Sequence, residues 1–475
     1  MKSLPKFLKV DDPYTGGIAY EGILSSVSEV LDLSRRNRVS QKIFWNEFSL
    51  SQRKNIVKNG INALTSGKIA EDLAVSITKQ MGKPLAQSKA ELNGAKGRAE
   101  AMLLMADEAL KDIVPPNNVS GFRRKILLEP IGQILTLSPW NYPVLTAINS
   151  IVPAVICGCS VVVSHGPRSP EVSFFIEKAF EAAGAPKGLV TGVSCTHETM
   201  HESIRGGLGD HVVFTGSVIG GHAVNQTLGS LTNRFVKAAF ELGGKDPAYV
   251  SDDVISIEST AASIVDGAFY NAGQSCCAIE RVYVHEKVHD QFVESCKKII
   301  DKEYLLGDPL NDPKTTIGPM AQASAIPFLE AQVIDAIQKG ARVVTGTGKG
   351  CRDGIGKGRF FSPTLLDRCT NDMDIVREES FGPVLPVIKV KNEDEAVNLM
   401  NDSRYGLTAA IYTSDVNIAE KMSKKLVAGT VYMNRCDYLD PFLSFSGRKD
   451  SGNGLALSQL GFSQFVLPKS LHFRL

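Results

Sequence analysis

Between Ile131 and Leu242, short apolar runs alternate with longer amphipathic segments, and this alternation constrains the fold more than any other feature of the sequence. The runs His211–Thr215 and Ser160–Val163 have strand length, whereas Val144–Cys157 has helical length. The strands are continuous apolar runs, which is typical of a parallel sheet that is buried on both faces. Because crossovers between parallel strands are right-handed, the sequence predicts an α/β fold with a doubly wound, Rossmann-like parallel sheet of nucleotide-binding type.

A second series of helices and strands predicts a further α/β domain. Ser256–Ala272 and Asp290–Glu303 are predicted as helices, and the predicted strands are Arg281–His285, Ala341–Thr345, Val384–Val390, Thr408–Thr413 and Gly429–Asn434. A chain of 475 residues suggests two or three domains. We expect the second domain over about 243–440 and an extended segment over 464–475 that pairs with another sheet edge.

Charge and cysteine content exclude several functional classes. Lys and Arg total 52 and Asp and Glu total 51, so no excess positive charge is available to hold nucleic acid. Nine cysteines without framework spacing indicate free thiols in a reducing compartment, and the first ten residues lack the apolar core of a signal peptide. Prolines interrupt the charge-free stretch between Glu129 and Arg168, so a membrane span is not expected. We therefore expect a cytoplasmic protein with no nucleic-acid or membrane partner.

Cys276 and Cys277 follow a Gly-bearing loop and are candidates for covalent chemistry. Neighbouring residues of an extended segment face opposite ways, so one thiol is expected to be buried and the other exposed. An exposed thiol on such a loop is a candidate nucleophile. For either cysteine taken alone, a buried thiol that only fills space is the more frequent situation.

Two polar residues come directly after predicted strands, where ligands of a parallel sheet bind. Glu241 ends the last strand of the first sheet, where partial burial would raise its pKa and make it a general base. Asn141 lies in the rigid loop Pro139–Pro143, where its amide can donate to a developing oxyanion. Each residue alone also fits an ordinary role, a solvated charge for Glu241 and turn contacts for Asn141.

The segment Phe214–Gly221 predicts a Gly-rich turn between a strand and a helix. Glycines allow a ligand to approach the backbone closely, and free N–H groups at a helix start attract phosphate. A plain strand–turn–helix connection explains such a turn equally well.

His197-Glu198-Thr199-Met200-His201 matches a short zinc-binding pattern. The predicted helix is short, and neither a third ligand nor the usual Gly continuation follows. We therefore predict no metal site here.

Taken together, these segments resemble the NAD(P)-dependent aldehyde dehydrogenase superfamily. The matching motifs are PWNYP at 139–143, FTGSVIGG at 214–221, FELGGKD at 240–246, GQSC at 273–276, EESFGPV at 378–384, YGLTAAIYT at 405–413 and AGTVYMN at 428–434. They cover nearly the whole chain and are specific as an ordered set. The resemblance implies an oxidoreductase that uses NAD or NADP to oxidise a small aldehyde to a carboxylic acid.

The resemblance also implies roles for individual residues. Cys276 corresponds to the nucleophile that forms the thiohemiacetal and thioester, Glu241 to the general base and Asn141 to the oxyanion donor. The residues at positions that correspond to cofactor contacts are Trp140, Ser164, Gly216, Ser217, Gly221, Glu379 and Phe381.

The sequence departs from the family pattern beside the cofactor. Ser164 stands where the family usually has the Lys that holds the adenosine ribose, and Pro167 stands where a Glu favours NAD over NADP. Without that carboxylate a 2′-phosphate is not repelled, and Arg168 is in a position to attract it. Ala456 and Ser150 replace a Glu and a Lys that are assigned to proton relay in some members, so Glu241 is expected to act with water alone.

The resemblance further implies the substrate pocket and the domain boundaries. Tyr142, Asn149, Leu439 and Phe445 correspond to pocket walls, and Arg435 and Arg448 are weaker candidates for binding an acidic tail. We expect a cofactor-binding domain over 1–111 and 131–242, a catalytic domain over 243–440, and a β-extension over 112–130 and 457–475 that makes a homodimer or homotetramer. Two other functions remain open at this point, a catalytically silent relative and a cysteine esterase that needs no cofactor.

Overall fold

The computed structural model describes residues 6–117 and 119–475. Residues 1–5 and 118, which belong to the expected cofactor domain and β-extension, lie outside the described residues. In chain order the strands are β1 (Phe7–Asp11), β2 (Ile18–Ile23), β3 (Phe122–Pro130), β4 (Gln133–Ser138), β5 (Ser160–His165), β6 (Val190–Gly192), β7 (His211–Thr215), β8 (Lys237–Glu241), β9 (Asp246–Val250), β10 (Ile279–His285), β11 (Arg342–Thr345), β12 (Gly350–Cys351), β13 (Phe360–Phe361), β14 (Thr364–Asp367), β15 (Val384–Val390), β16 (Thr408–Tyr412), β17 (Thr430–Met433) and β18 (Val466–Arg474).

The α-helices are α1 (Val27–Glu47), α2 (Leu50–Thr65), α3 (Gly67–Met81), α4 (Leu85–Ala109), α5 (Pro143–Cys157), α6 (Glu171–Ala182), α7 (His197–Arg205), α8 (Val218–Gly229), α9 (Ile257–Phe269), α10 (His289–Glu303), α11 (Ala325–Gln338), α12 (Asp374–Arg377), α13 (Glu393–Asn401) and α14 (Val416–Ser423). Short 3₁₀ segments cover Tyr270–Gly273, Lys449–Ser451 and Gln459–Phe465. Among the described residues, no helix combines the length and the apolar character needed to cross a bilayer.

The apolar runs of the first half form a five-stranded parallel sheet in the order β6-β5-β4-β7-β8. The chain starts at β4 in the middle, adds β5 and β6 on one side, and then returns to add β7 and β8 on the other. This is the doubly wound arrangement that the sequence predicts, and the α/β fold class is confirmed. Because the strands are parallel, the carboxyl ends of β4, β7 and β8 lie along one edge, so Asn141, Thr215 and Glu241 are brought to the same side of the sheet.

The second half forms a seven-stranded sheet in the order β11-β14-β15-β10-β9-β16-β17. All neighbouring pairs are parallel except β11 with β14, which pair antiparallel at the sheet edge. Buried side chains from β9, β10, β15 and β16 pack with α9 and α10 into one apolar core. The two sheets support the division at about residue 242, which stays a proposal.

Strands β3 and β18 form a separate two-stranded antiparallel ladder, in which Phe122 pairs with Arg474 at one end and Pro130 pairs with Val466 at the other. Much of β18 is exposed, including the apolar side chains of Leu467 and Phe473. A two-stranded ribbon is marginally stable in water by itself, so this ladder needs further contacts on its exposed side.

Helix α1 is joined to the five-stranded sheet by a buried amide. The Asn37 Nδ2 group donates to the carbonyl oxygens of Val161 (3.0 Å), Gly188 (2.8 Å) and Leu189 (3.0 Å). Its Oδ1 accepts a hydrogen bond from Gln133 Nε2 at 2.7 Å. One fully buried side chain therefore connects α1 with β4, β5 and the loop before β6.

Replacing Asn37 by Ala should lower the free energy of unfolding by about 2–3 kcal/mol, because buried carbonyl and amide groups lose their partners. Urea unfolding followed by circular dichroism measures the change. The matched control is Asn93→Ala on the exposed face of α4, which should stay within about 0.5 kcal/mol of the parent. Equal stability of the two variants would contradict the role of Asn37.

Candidate active site

Two cavities of about 660 Å³ each share one stretch of wall. The sheet-edge cavity is lined by the carboxyl ends of β4, β5 and β7 and by the start of α8. The helix-side cavity is lined by α4, α5 and the segment 435–445. The residues common to both cavities are Asn141, Thr215, Glu241, Leu242 and Cys276. A molecule in one cavity can therefore meet a molecule in the other at these side chains.

The two adjacent cysteines have different surroundings. Cys277 is 5% exposed and belongs to the apolar core, whereas Cys276 is partly exposed and lines both cavities. Their Sγ atoms are 4.0 Å apart. The neighbouring thiol, together with burial, raises the pKa of Cys277 well above its usual range. Cys277 also borders the helix-side cavity, but Cys276 is the more exposed thiol of the pair and the one that lies on the shared wall.

The Asn141 amide is oriented by the loop that carries Cys276. Its Nδ2 donates to the carbonyl oxygen of Gln274 at 3.1 Å, and the Asn141 carbonyl accepts from Asn271 Nδ2 at 3.2 Å. The second hydrogen of the Asn141 amide is left for the shared wall, because a carboxamide carries two donors. The Cys276 backbone N–H donates to no acceptor among the described residues. Both groups are thus available to hold negative charge that develops beside the thiol.

Glu241 ends β8 and is 7% exposed. Both of its carboxylate oxygens lack a hydrogen-bond partner within the described part of the chain. Burial raises the pKa of Glu241 well above 4.5, because the charged form loses its hydration. A buried carboxyl group without a protein partner is suited to exchange a proton with a water molecule at the shared wall.

Glu379 and Phe381 form part of the sheet-edge cavity and are held by a buried ion pair. The Lys245 Nζ is 2.7 Å from Glu280 Oε2, and Glu280 accepts hydrogen bonds from the backbone N–H groups of Ser380 (2.7 Å) and Phe381 (2.8 Å). Phe381 adopts a positive φ of 53°, which the pair helps to maintain.

The loop that Glu280 holds positions the Phe381 ring and the Glu379 carboxyl group. The Phe381 ring packs edge-on against Trp140 with centroids 5.6 Å apart. Glu379 Oε1 accepts from the Gly244 N–H at 3.0 Å. Burial, with the negative charge of Glu280, raises the pKa of Glu379 to about 8.

Ser164 and Pro167 both line the sheet-edge cavity, as do Gly216 and Ser217 at the start of α8. The Ser217 side chain caps α8 by accepting from the Gly220 N–H at 3.1 Å. Gly221 lies deeper, where an added Cβ would come within 2.7 Å of Leu242 Cδ2, and it is Gly220 that borders the cavity.

The expectation that Arg168 attracts a cofactor phosphate is wrong. Its guanidinium pairs with the Asp11 carboxylate and donates to the carbonyl oxygens of Asp11 and Gln80. Arg168 is thereby turned away and does not line the cavity. The sequence could not reveal Asp11 as its partner, because 157 residues separate the two.

The helix-side cavity contains Tyr142, Asn149, Leu439 and Phe445, and Arg435 borders it while stacking on Tyr438 at 3.8 Å. Arg448 instead donates to Ser446 Oγ and the Gly447 carbonyl. Sequence reasoning missed Arg98 on α4, which also lines this cavity. It also missed Lys245 and Glu280, although Lys245 belongs to the matched FELGGKD motif.

The histidines of the short zinc pattern border the sheet-edge cavity. His201 Nδ1 is 2.7 Å from Thr227 Oγ1, and this contact holds the His201 ring of α7 against α8. Among residues 6–117 and 119–475, no cluster of three potential metal ligands occurs.

Comparison with known proteins places the chain among aldehyde-oxidising enzymes. The model of the aldehyde dehydrogenase family matches residues 2–471. The succinate-semialdehyde dehydrogenase [NADP(+)] of Deinococcus radiodurans is 31% identical over 460 residues, which cover 96% of this chain and 93% of that protein. The betaine aldehyde dehydrogenase of Bacillus subtilis is 30% identical over 441 residues, covering 93% of this chain and 88% of that protein. The solved structure of succinic semialdehyde dehydrogenase from Streptococcus pyogenes, in complex with NADP+, superposes with a TM-score of 0.91 at 29% identity, covering 98% of this chain and all of that one (100%).

Glu241→Gln should become progressively more stabilising as the pH rises. In the unfolded chain the carboxyl group ionises near pH 4.5, but burial raises its pKa in the folded chain. Folding therefore opposes ionisation, and this penalty on the parent grows from the unfolded pKa up to the folded one. Since Gln carries no charge, the stability difference should widen in its favour as the pH rises above about 5.

Urea unfolding midpoints across that range measure the difference. The control is Glu286→Gln, which removes a carboxylate that is already exposed. A difference between Glu241→Gln and the parent that stays constant with pH would show that the folded carboxyl group titrates normally.

Proposed function

The chain belongs to the aldehyde dehydrogenase family, and we propose that Cys276, Glu241 and Asn141 carry out its NAD(P)-dependent oxidation of aldehydes to carboxylic acids. The observation that carries this assignment is the wall shared by the two cavities, where all three side chains lie. The helix-side cavity brings a small aldehyde to this wall, and the sheet-edge cavity brings the cofactor to it.

The residues of the sheet-edge cavity fit a dinucleotide. Gly216 lines the cavity, and an added Cβ there would come within 2.8 Å of Phe214 Cζ, so only glycine fits between the Phe214 ring and the cavity. The adjoining start of α8 supplies N–H groups and positive dipole character for a pyrophosphate. Trp140, Glu379 and Phe381 would hold the nicotinamide end beside Cys276. When bound there, NAD(P)+ supplies the hydride acceptor of the reaction.

The first step requires a nucleophile and a group that holds the resulting oxyanion. The Cys276 thiolate adds to the aldehyde carbon, and the carbonyl oxygen becomes negatively charged. The Asn141 Nδ2 group and the Cys276 backbone N–H donate to that oxygen. Loss of hydride from the aldehyde carbon then leaves a thioester on Cys276, whose sulfur later departs as a thiolate.

The second step requires a base that can reach a water molecule. Glu241 accepts a proton from water at the shared wall, and the hydroxide equivalent adds to the thioester carbon. The product acid leaves and the Cys276 thiolate is regenerated. The Glu241 oxygens have no hydrogen-bond partner among the described residues, so both are free to contact this water.

We further propose that the chain forms a homodimer or homotetramer through the β3–β18 ladder and that it acts in the cytoplasm. The exposed apolar side chains of β18 support an assembly contact, because an open strand edge readily pairs with another chain. Nine free thiols within the described residues support a reducing compartment.

Cys276→Ser should lower kcat/KM for aldehyde oxidation at least about 10³-fold, because a hydroxyl at this position is a far weaker nucleophile and leaving group. Reduced nicotinamide formation measures the rate with NAD and with NADP. Cys277→Ser is the matched control and should remain within about tenfold of the parent. Unchanged turnover in Cys276→Ser would remove this residue from its role, and ester cleavage without cofactor would favour the esterase alternative.

Introducing Glu at both Leu467 and Phe473 should shift the assembly toward smaller species. The two residues lie on the same face of β18, so the charges would fall on one apolar surface. Sedimentation velocity measures the distribution of species. Ser470→Glu adds a charge to the opposite face and serves as the control. An unchanged distribution in the double variant would place the contact elsewhere.

A further inference from the structure

We propose that Arg98 recognises a carboxylate at the far end of the substrate, so that the preferred aldehydes are oxo acids. This inference rests on the proposed function, because it takes the helix-side cavity as the route of the aldehyde to Cys276. It concerns a residue that the described mechanism does not use.

Arg98 presents an oriented and incompletely bonded guanidinium to the helix-side cavity. Its Nη1 donates to Asn149 Oδ1 at 3.0 Å and to the Leu145 carbonyl at 3.2 Å, and both acceptors belong to α5. Nε and Nη2 donate to no acceptor within the described part of the chain. These two groups form the fork that binds a carboxylate through two parallel hydrogen bonds.

The positive charge of Arg98 has no counter-ion among the described residues. Glu91 lies on the same helix, but it pairs with Lys83 and accepts from the N–H groups of Val144 (2.8 Å) and Leu145 (3.2 Å) at the start of α5. Burial lowers the pKa of Arg98 to about 10, so the guanidinium stays charged at neutral pH. A half-buried charge without a partner is unfavourable, and an incoming carboxylate would reduce that penalty.

Arg98 and Cys276 both line the helix-side cavity. Gly97 lies next to Arg98 on the cavity wall, and an added Cβ there would meet no atom within 4 Å, so the space beside Arg98 is open. One oxo acid molecule can therefore place its aldehyde at Cys276 and its carboxylate at Arg98.

Two carboxyl groups, those of Asp266 and Asp437, also line this cavity, and in their charged form they would favour a cationic aldehyde instead. Burial raises the pKa of Asp266, and it raises that of Asp437 to about 7. Ser275 Oγ also donates to Asp437 at 3.4 Å. Near neutral pH Asp437 is partly protonated, whereas Arg98 keeps its full charge. Arg435, exposed at the cavity rim, adds a second positive charge that attracts anions.

The first test compares kcat/KM for succinic semialdehyde, butanal and betaine aldehyde in the parent and in Arg98→Gln. The parent should prefer the anionic aldehyde, and the ratio of kcat/KM for succinic semialdehyde to that for butanal should fall about 10²-fold in the variant. Arg98→Lys keeps the charge but loses the fork, so it should recover part of the ratio. Lys96→Gln removes one positive charge from the exposed side of α4 and should leave the ratio unchanged.

The second test measures binding without turnover. Cys276→Ser without cofactor is titrated with succinate and with butyrate by calorimetry, and succinate should bind more tightly. Adding Arg98→Gln should abolish that difference. Because no cofactor is present and neither succinate nor butyrate carries an aldehyde, no turnover occurs, and the result stands even if the assignment of the nucleophile fails.

Three outcomes would overturn the proposal. They are a parent preference for butanal or betaine aldehyde, an equal loss for anionic and neutral aldehydes in Arg98→Gln, and succinate binding that ignores Arg98. Thermal unfolding of each variant separates a specific loss from misfolding, and Arg98→Lys keeps the test decisive if Arg98→Gln does not fold.

Discussion

The parallel order of the five-stranded sheet is the constraint on which the site depends. Since every crossover returns to the same end of the sheet, the carboxyl ends of β4, β7 and β8 lie side by side. Asn141, Thr215 and Glu241 follow or end these three strands, and they meet there although up to 100 residues separate them along the chain. Cys276 comes from a loop before β10 and completes the wall from the second sheet. The proposed reaction site thus combines residues that follow strands of the first sheet with a loop that leads into the second.

Two sets of buried charged groups lie at or near this wall, the Lys245–Glu280 pair and Glu241, and they differ in the energetic cost of their burial. The Lys245–Glu280 pair is satisfied on both sides, because Lys245 also donates to Ser380 Oγ at 2.9 Å and Glu280 accepts two backbone N–H groups. Such a pair is costly to break, since either remaining charge would be left buried without a partner. Glu241 is buried without compensation, and its raised pKa expresses that cost. The Lys245–Glu280 pair therefore supports the loop that carries Glu379 and Phe381. The uncompensated carboxyl group of Glu241 lies at the shared wall, where we propose that the reaction takes place.

The sequence predicts those parts of the structure that local patterns encode. The apolar runs identify β4, β5 and β7, and the motifs that follow them identify the shared wall, because strand ends and sheet order are enough to bring them together. Arg168 shows where this reasoning fails, since its partner Asp11 lies on β1 and no local pattern connects the two. Arg98 was missed for the same reason. One Arg on a long polar helix has no signal until the contact of α4 with α5 places it in a cavity beside Asn149.

The loop before Cys276 shows how backbone strain is used in this site. Asn271 and Ala272 have φ values of 55° and 57°, a left-handed conformation that is unfavourable for residues with a Cβ. Gln274 supports them: its Nε2 donates to the Asn271 carbonyl at 3.0 Å, and its Oε1 accepts from the Ala321 N–H at 2.9 Å. The Gln274 carbonyl in turn orients the Asn141 amide. The same residue thus supports the strained turn and orients the amide that we propose as the oxyanion donor, so the positions of the thiol and of this amide are set together before substrate arrives.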